Sequence, residues 1–220
     1  YDKGVGGKKS NKNYGGGTND NMSDEGYKDF IKKMIRNALS VSKKDCHVAY
    51  WADERFVWIF QTLYKELGIA SKRLLIWVKN NASPTPRTAF NKATEYIIYG
   101  TTGSPYLSPN VQNANEIINF DTTTGNDLLD ELSNIILQKR LPSNQYHHPT
   151  QKDPQVHSKI LKRCTKISDT VLDLTAGSGS IMSACEQLVR VAYMCDYEPV
   201  FCQVILNRYK KMTGLNPVQI

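Results

Sequence analysis

Ten consecutive residues constrain this chain more than any others: Val171-Leu172-Asp173-Leu174-Thr175-Ala176-Gly177-Ser178-Gly179-Ser180. They place an apolar strand, a glycine turn and a helix start in immediate succession. Glycine at 177 and 179 lets the backbone come close to a bound nucleoside, where any Cβ would collide. Two glycines at this spacing are a weak signal alone. Asp196 adds a second feature: it stands at the end of the next predicted strand, close to the offset of about 20 residues at which a nucleoside site places a carboxylate for ribose hydroxyls. At this point a plainer reading stays open, in which the glycines only end a strand tightly and Asp196 is a solvated loop acid.

Around this junction, strands and helices alternate, which points to an α/β sheet. Apolar residues at helical spacing from Tyr27 to Ala38 predict an amphipathic helix, with Ser23 or Asp24 as its cap. Cys46 to Trp51 reads as a buried strand, and Phe56 to Leu67 as a helix ended by Gly68. Leu74 to Val78 and Thr94 to Tyr99 read as further strands. The last third alternates in the same way: helix Pro154 to Cys164, strand Thr170 to Leu174, helix Ser180 to Leu188, strand Val189 to Cys195, helix Pro199 to Met212. Residues 1–25, rich in Gly, Lys and Asn, cannot bury much apolar surface and read as a flexible loop. Residues 104–146, rich in Asn, Ser, Thr and Pro, read as an insertion on the sheet's edge with one helical stretch near Leu128 to Leu137.

A length of 220 residues with 40% hydrophobic content fits one domain spanning the whole chain. The 28 Lys and Arg against 21 Asp and Glu leave a formal charge of +7, which favours a polyanionic partner. The odd set of five cysteines contains no C-x-x-C pair and reads as reduced thiols of a cytoplasmic protein. No apolar stretch approaches a membrane span, and no leader opens the chain, so no membrane association is expected. The glycine turn lacks the third glycine of the dinucleotide fingerprint, and no basic cluster comes after it for a pyrophosphate. A single nucleoside with a charged tail, such as S-adenosylmethionine, fits it better than NAD.

Upstream of the turn stands His148-Pro149-Thr150-Gln151-Lys152. This pentapeptide, succeeded by a helix and then Asp173 to Ser180, resembles the amino DNA methyltransferases of the permuted β class. Ile76-Trp77-Val78-Lys79-Asn80, Phe90 and Glu95-Tyr96-Ile97-Ile98 extend the resemblance over nearly the whole chain. It implies a Rossmann-like methyltransferase sheet with helices on both faces, in circularly permuted motif order. It further implies that S-adenosylmethionine is the cofactor. Thr150 and Lys152 would lie near the cofactor's methionine end, Asp173 would face its ammonium, Thr175, Ala176, Gly177, Ser178 and Gly179 would form the turn beneath it, and Asp196 would bind the ribose. No metal site is expected.

The chain departs from the pattern at three places. Thr175 stands where the family usually has phenylalanine, so an aromatic contact with the cofactor's adenine would come from elsewhere. Asp153 separates Lys152 from Pro154, where the family usually joins lysine to proline. The family's catalytic tetrapeptide, D-P-P-Y or S-P-P-Y at a strand end, is absent, yet Tyr1-Asp2-Lys3-Gly4 and the glycine-rich loop after it resemble the segment on the C-terminal side of that motif. The resemblance therefore makes Tyr1 the last residue of the tetrapeptide and the residue that stacks on the target base. The acid, both prolines and two strands would then lie outside the sequence, and the sheet would lack its middle.

The implied reaction moves a methyl group from S-adenosylmethionine to the exocyclic amino group of a base flipped out of double-stranded DNA, adenine rather than cytosine. Residues 104–146 take the place of the region that reads the DNA sequence. Their short length implies limited specificity, or specificity shared with a partner subunit, a dimer mate or a flanking domain. Two other readings keep the fold: a catalytically inactive DNA-binding or scaffold subunit, and a methyltransferase acting on RNA or protein.

Overall fold

The computed structural model describes residues 22–83, 90–109, 133–148 and 151–218. The helices are α1 Asp24–Val41, α2 Val57–Glu66, α3 Gln155–Cys164, α4 Ser180–Gln187 and α5 Pro199–Thr213. The strands are β1 Cys46–Ala52, β2 Ala70–Ser83, β3 Lys92–Thr102, β4 Ile135–Leu137, β5 Thr170–Asp173 and β6 Val191–Met194.

Local chemistry explains where helix α1 begins. The Ser23 hydroxyl accepts the Gly26 N–H at 3.1 Å, and Asp24 and Glu25 set negative charge against the positive end of the helix dipole. At its far end α5 stops at Gly214, whose φ of +76° only glycine adopts freely.

Four strands form a sheet in the order β1-β3-β2-β4. β3 is antiparallel to both neighbours, with Trp51 opposite Ile97 on one side and Leu75 opposite the same residue on the other. Successive side chains of a strand point to opposite faces. Ile98 accordingly packs with Ile31, Ile35, Ile59, Phe60 and Leu63 of α1 and α2. Ile97 packs with Trp77, Ile136 and Val156 beneath α3. Two adjacent isoleucines thus anchor the helical layers on both faces.

β5 and β6 form a second, parallel pair joined through α4. Among the described residues, β1 is hydrogen-bonded only to β3, and β5 only to β6.

One element differs from its sequence expectation. The helix expected near Leu128 to Leu137 is not helical at its C-terminal end, where Ile135–Leu137 form β4 parallel to β2. Two β-branched residues in succession favour the extended form, and the free edge of β2 offers backbone partners: Ile76 N–H donates to Asn134 O at 2.8 Å. Residues 128–132 of that expectation, like residues 1–21 of the N-terminal loop, lie outside the described residues.

Candidate functional site

The glycine turn comes directly after β5, and Gly177 and Gly179 both adopt left-handed backbone, with φ of +54° and +71°. A Cβ at Gly177 would lie 3.2 Å from His148 Nε2, and one at Gly179 would lie 2.9 Å from Ile205 Cγ1. The chain's own packing therefore already demands glycine at both positions, before any ligand is considered. The contact with His148 also brings the histidine-proline segment, 29 positions away in the sequence, onto the turn. The His148 ring is fixed from behind by Phe201 of α5, with ring centroids 4.2 Å apart. Burial lowers the pKa of His148 and the Lys152 charge lowers it further, against an opposing pull from Asp196.

Asp196, just beyond β6, closes the same group. Its Oδ2 accepts the Gly177 N–H at 2.6 Å, and its Oδ1 accepts the Glu198 N–H at 3.0 Å. Each carboxylate oxygen has a second lone pair, so these bonds fix the carboxylate and leave it able to accept from hydroxyls. Asp173, the last residue of β5, accepts the Thr175 N–H at 3.0 Å. Burial pushes the Asp173 carboxyl above the ordinary carboxylate range, and the charge of Asp196 adds to the push. Ala176, Gly177, Ser178 and Gly179 are buried in the turn, while Thr175 is exposed at its rim.

Beside Thr175 and Asp196 opens a groove of about 380 Å³, walled by Leu174, Tyr197 and, from α1, Phe30 and Met34. A fixed carboxylate at the edge of an apolar groove with two aromatic rings suits the ribose and base of a nucleoside. No sequence signal linked Phe30 to this groove, because it stands 145 positions before Thr175.

Lys152 points elsewhere. Its ammonium lies 3.1 Å from Glu95 Oε2 and 4.6 Å from the centre of the Trp51 ring. Lys79 meets the other oxygen of Glu95 at 3.3 Å. Burial raises the Glu95 pKa, but the two lysines outweigh it and hold the carboxyl below its usual range. These residues line a second cleft of about 430 Å³, together with Trp77 and Arg140. Thr150 and Tyr1, both singled out by sequence, lie outside the described residues.

Two residues have supporting roles that the sequence did not reveal. Gln151 is buried and ties the loop together, accepting His147 N–H at 2.8 Å through Oε1 and donating to Gln145 O through Nε2. His157 of α3 lies 2.9 Å from the Ser180 hydroxyl at the start of α4, and burial drives its pKa down to about 3. His157 sits among Val156, Ser158, Leu161 and Cys164 on the buried face of α3, and that spacing was the available signal. Among the described residues, no group of three His, Cys, Asp or Glu side chains is placed to hold a metal ion. No helix of the described residues is long and apolar enough to cross a membrane.

The architecture is shared with solved methyltransferase structures. M1.HpyAVI in complex with SAM superposes with a TM-score of 0.64 at 22% identity, covering 82% of each chain. PvuII DNA methyltransferase, cytosine-N4-specific, gives 0.65 at 15% identity over 86% of this chain and 72% of that one. TTHA0409 from Thermus thermophilus, solved with S-adenosyl-L-methionine, gives 0.62 at 16% identity over 89% and 84%. At these identities the likeness establishes the fold, an α/β methyltransferase fold. No protein of curated function matches the sequence. The profile of the N6/N4 DNA methylase family, in contrast, matches residues 6–207, nearly the whole chain. The chain, with its glycine turn, His148 and Asp196 gathered at one crevice, belongs to the DNA methylase family.

Proposed function

We propose that this protein transfers a methyl group from S-adenosylmethionine to the exocyclic amino group of an adenine rotated out of duplex DNA. One observation carries the reading. Three motifs far apart in sequence meet at the ends of two parallel strands: the His148 ring lies 3.2 Å from where a Gly177 Cβ would stand, and Asp196 accepts the Gly177 N–H at 2.6 Å. In open parallel sheets, the crevice outside the strand ends is where nucleoside ligands bind.

When bound, the cofactor supplies an electrophilic methyl group on a sulfonium. The protein's task is to hold and aim. Asp196, fixed by two backbone N–H groups, accepts the ribose hydroxyls, and the groove beside Thr175 takes the adenine. Asp173 faces the ammonium of the methionine end, with Thr150 alongside. Ala176, Gly177, Ser178 and Gly179 form the floor. An amine conjugated to a base ring is a poor nucleophile, so acceleration comes from orientation and from acceptors for its N–H groups. Tyr1 stacks on the base in this reading, and residues 104–146 contact the DNA sequence.

Incubation with methyl-tritiated S-adenosylmethionine and unmethylated duplex DNA tests the proposal. Label recovered as N6-methyladenine after digestion to nucleosides is the expected result. Label in N4-methylcytosine would replace adenine by cytosine, and absence of transfer with the cofactor still bound would point to the inactive subunit.

A further inference from the structure

The second cleft sets two lysines against one carboxylate. Among its lining residues, Lys79, Lys92 and Lys152 face Asp53 and Glu95. Asp53 is taken up by Lys92 at 2.7 Å and Arg55 at 3.0 Å. Glu95 alone is shared between Lys79 and Lys152. The side chains of these two lysines are only 5% and 15% exposed, so both ammonium groups have left most of their water. Each carries three N–H donors, and one carboxylate cannot satisfy them all. The rings of Trp77 and Trp51, at 5.9 and 4.6 Å, offset part of the remaining charge. Among the described residues, two nearly buried cations sharing one anion form a site that lacks a second anion.

We propose that this cleft receives one phosphodiester of the DNA backbone, held by Lys79 and Lys152, with Glu95 keeping the two ammonium groups together. This rests on the reading of the chain as a DNA methyltransferase and assigns a part of the DNA to a place in it. A phosphodiester fits because its two non-bridging oxygens can accept from both ammonium groups at once. The cleft also adjoins the cofactor crevice: Gln151, which lines it, donates its N–H to His148 O at 3.1 Å, and His148 packs at the glycine turn. A nucleotide anchored here would keep its base within reach of the transferred methyl group.

Lys79→Gln, measured on the full chain, isolates this contact because Lys79 has no part in the cofactor crevice. Binding of a duplex oligonucleotide is followed by fluorescence anisotropy from low to moderate salt, and cofactor affinity is measured alongside. Loss of one phosphate contact should make the slope of log affinity against log salt shallower by about one. Lys79→Arg should restore the original slope, and cofactor affinity should stay unchanged in both variants. An unchanged slope in Lys79→Gln would overturn the proposal, as would a fall in cofactor affinity, which would give the cleft to the cofactor's carboxylate. If Lys79→Gln fails to fold by circular dichroism, Lys79→Met, which keeps the apolar stem, is read in the same way. A slope that depends on Lys79 in a protein that transfers no methyl group would leave the phosphate site standing and remove the catalytic reading alone.

Discussion

Gly177 shows how much a single position can carry. Its backbone is left-handed, its N–H goes to Asp196, and His148 lies 3.2 Å from where a Cβ would stand. Gly177→Ala should cost about 1–2 kcal/mol for the backbone alone. A lower midpoint in urea denaturation checks it. Asp196→Ala should cost about 1–3 kcal/mol of stability besides its effect on binding, because it leaves the buried Gly177 N–H without an acceptor. Asp173 makes a prediction in pH. Its folded pKa is raised, so its contribution to stability is fully present below the unfolded pKa and is lost as pH rises through the folded value. The ionised form is the one that meets the cofactor's ammonium, so affinity should fall on acidification at a higher pH than an ordinary aspartate would give. Asp173→Asn retains an acceptor for Thr175 N–H. It should raise stability at neutral pH while weakening cofactor binding and abolishing that acid limb, as thermal melts and titrations at several pH values would show.

At the scale of elements, the strand-turn-helix junction was legible because its signal is local: apolar run, glycines and helix start occupy ten adjacent residues. The order of strands and helices could be read for the same reason. β4 could not, since three residues become a strand only by meeting the edge of β2, about sixty positions away. Lys79 and Glu95 were visible as residue types on predicted strands, but their pairing with Lys152 depends on α3 packing under the sheet through Val156. Glycine at 177 and 179 signals room for a ligand in the sequence, and the sequence did not show that His148 and Ile205 also pack against these two positions. Long-range packing decided each of these points. The end of β1 is also tied to the start of β3 by Asp53 and Lys92. Burial opposes ionisation of Asp53, but Lys92 and Arg55 prevail and bring its pKa down from 3.8 to about 2. That stability is present above the unfolded pKa and is lost as pH falls through about 2. Asp53→Asn should therefore flatten acid unfolding between those two values, with the exposed part of the pair limiting the effect.

On the scale of the whole molecule, the two described sheets divide the work. The four-stranded sheet, covered by α1 and α2 on one face and α3 on the other, carries the charged cleft. The β5-β6 pair presents the glycine turn and Asp196 at its strand ends. His148 and α3 join them, so the proposed cofactor and DNA contacts lie on adjoining parts of one surface. The net charge of +7 suits a polyanion at that surface and adds a general salt dependence to DNA binding. Each of these roles depends on the crevice at Asp196 being the cofactor site. Calorimetric titration of S-adenosylmethionine into the unsubstituted protein and into Asp196→Asn, with folding checked by circular dichroism, tests this most directly. Binding to a single site that weakens roughly tenfold or more in the variant is expected from the loss of charge-assisted hydrogen bonds to the ribose. Equal affinity in the two folded proteins would contradict it.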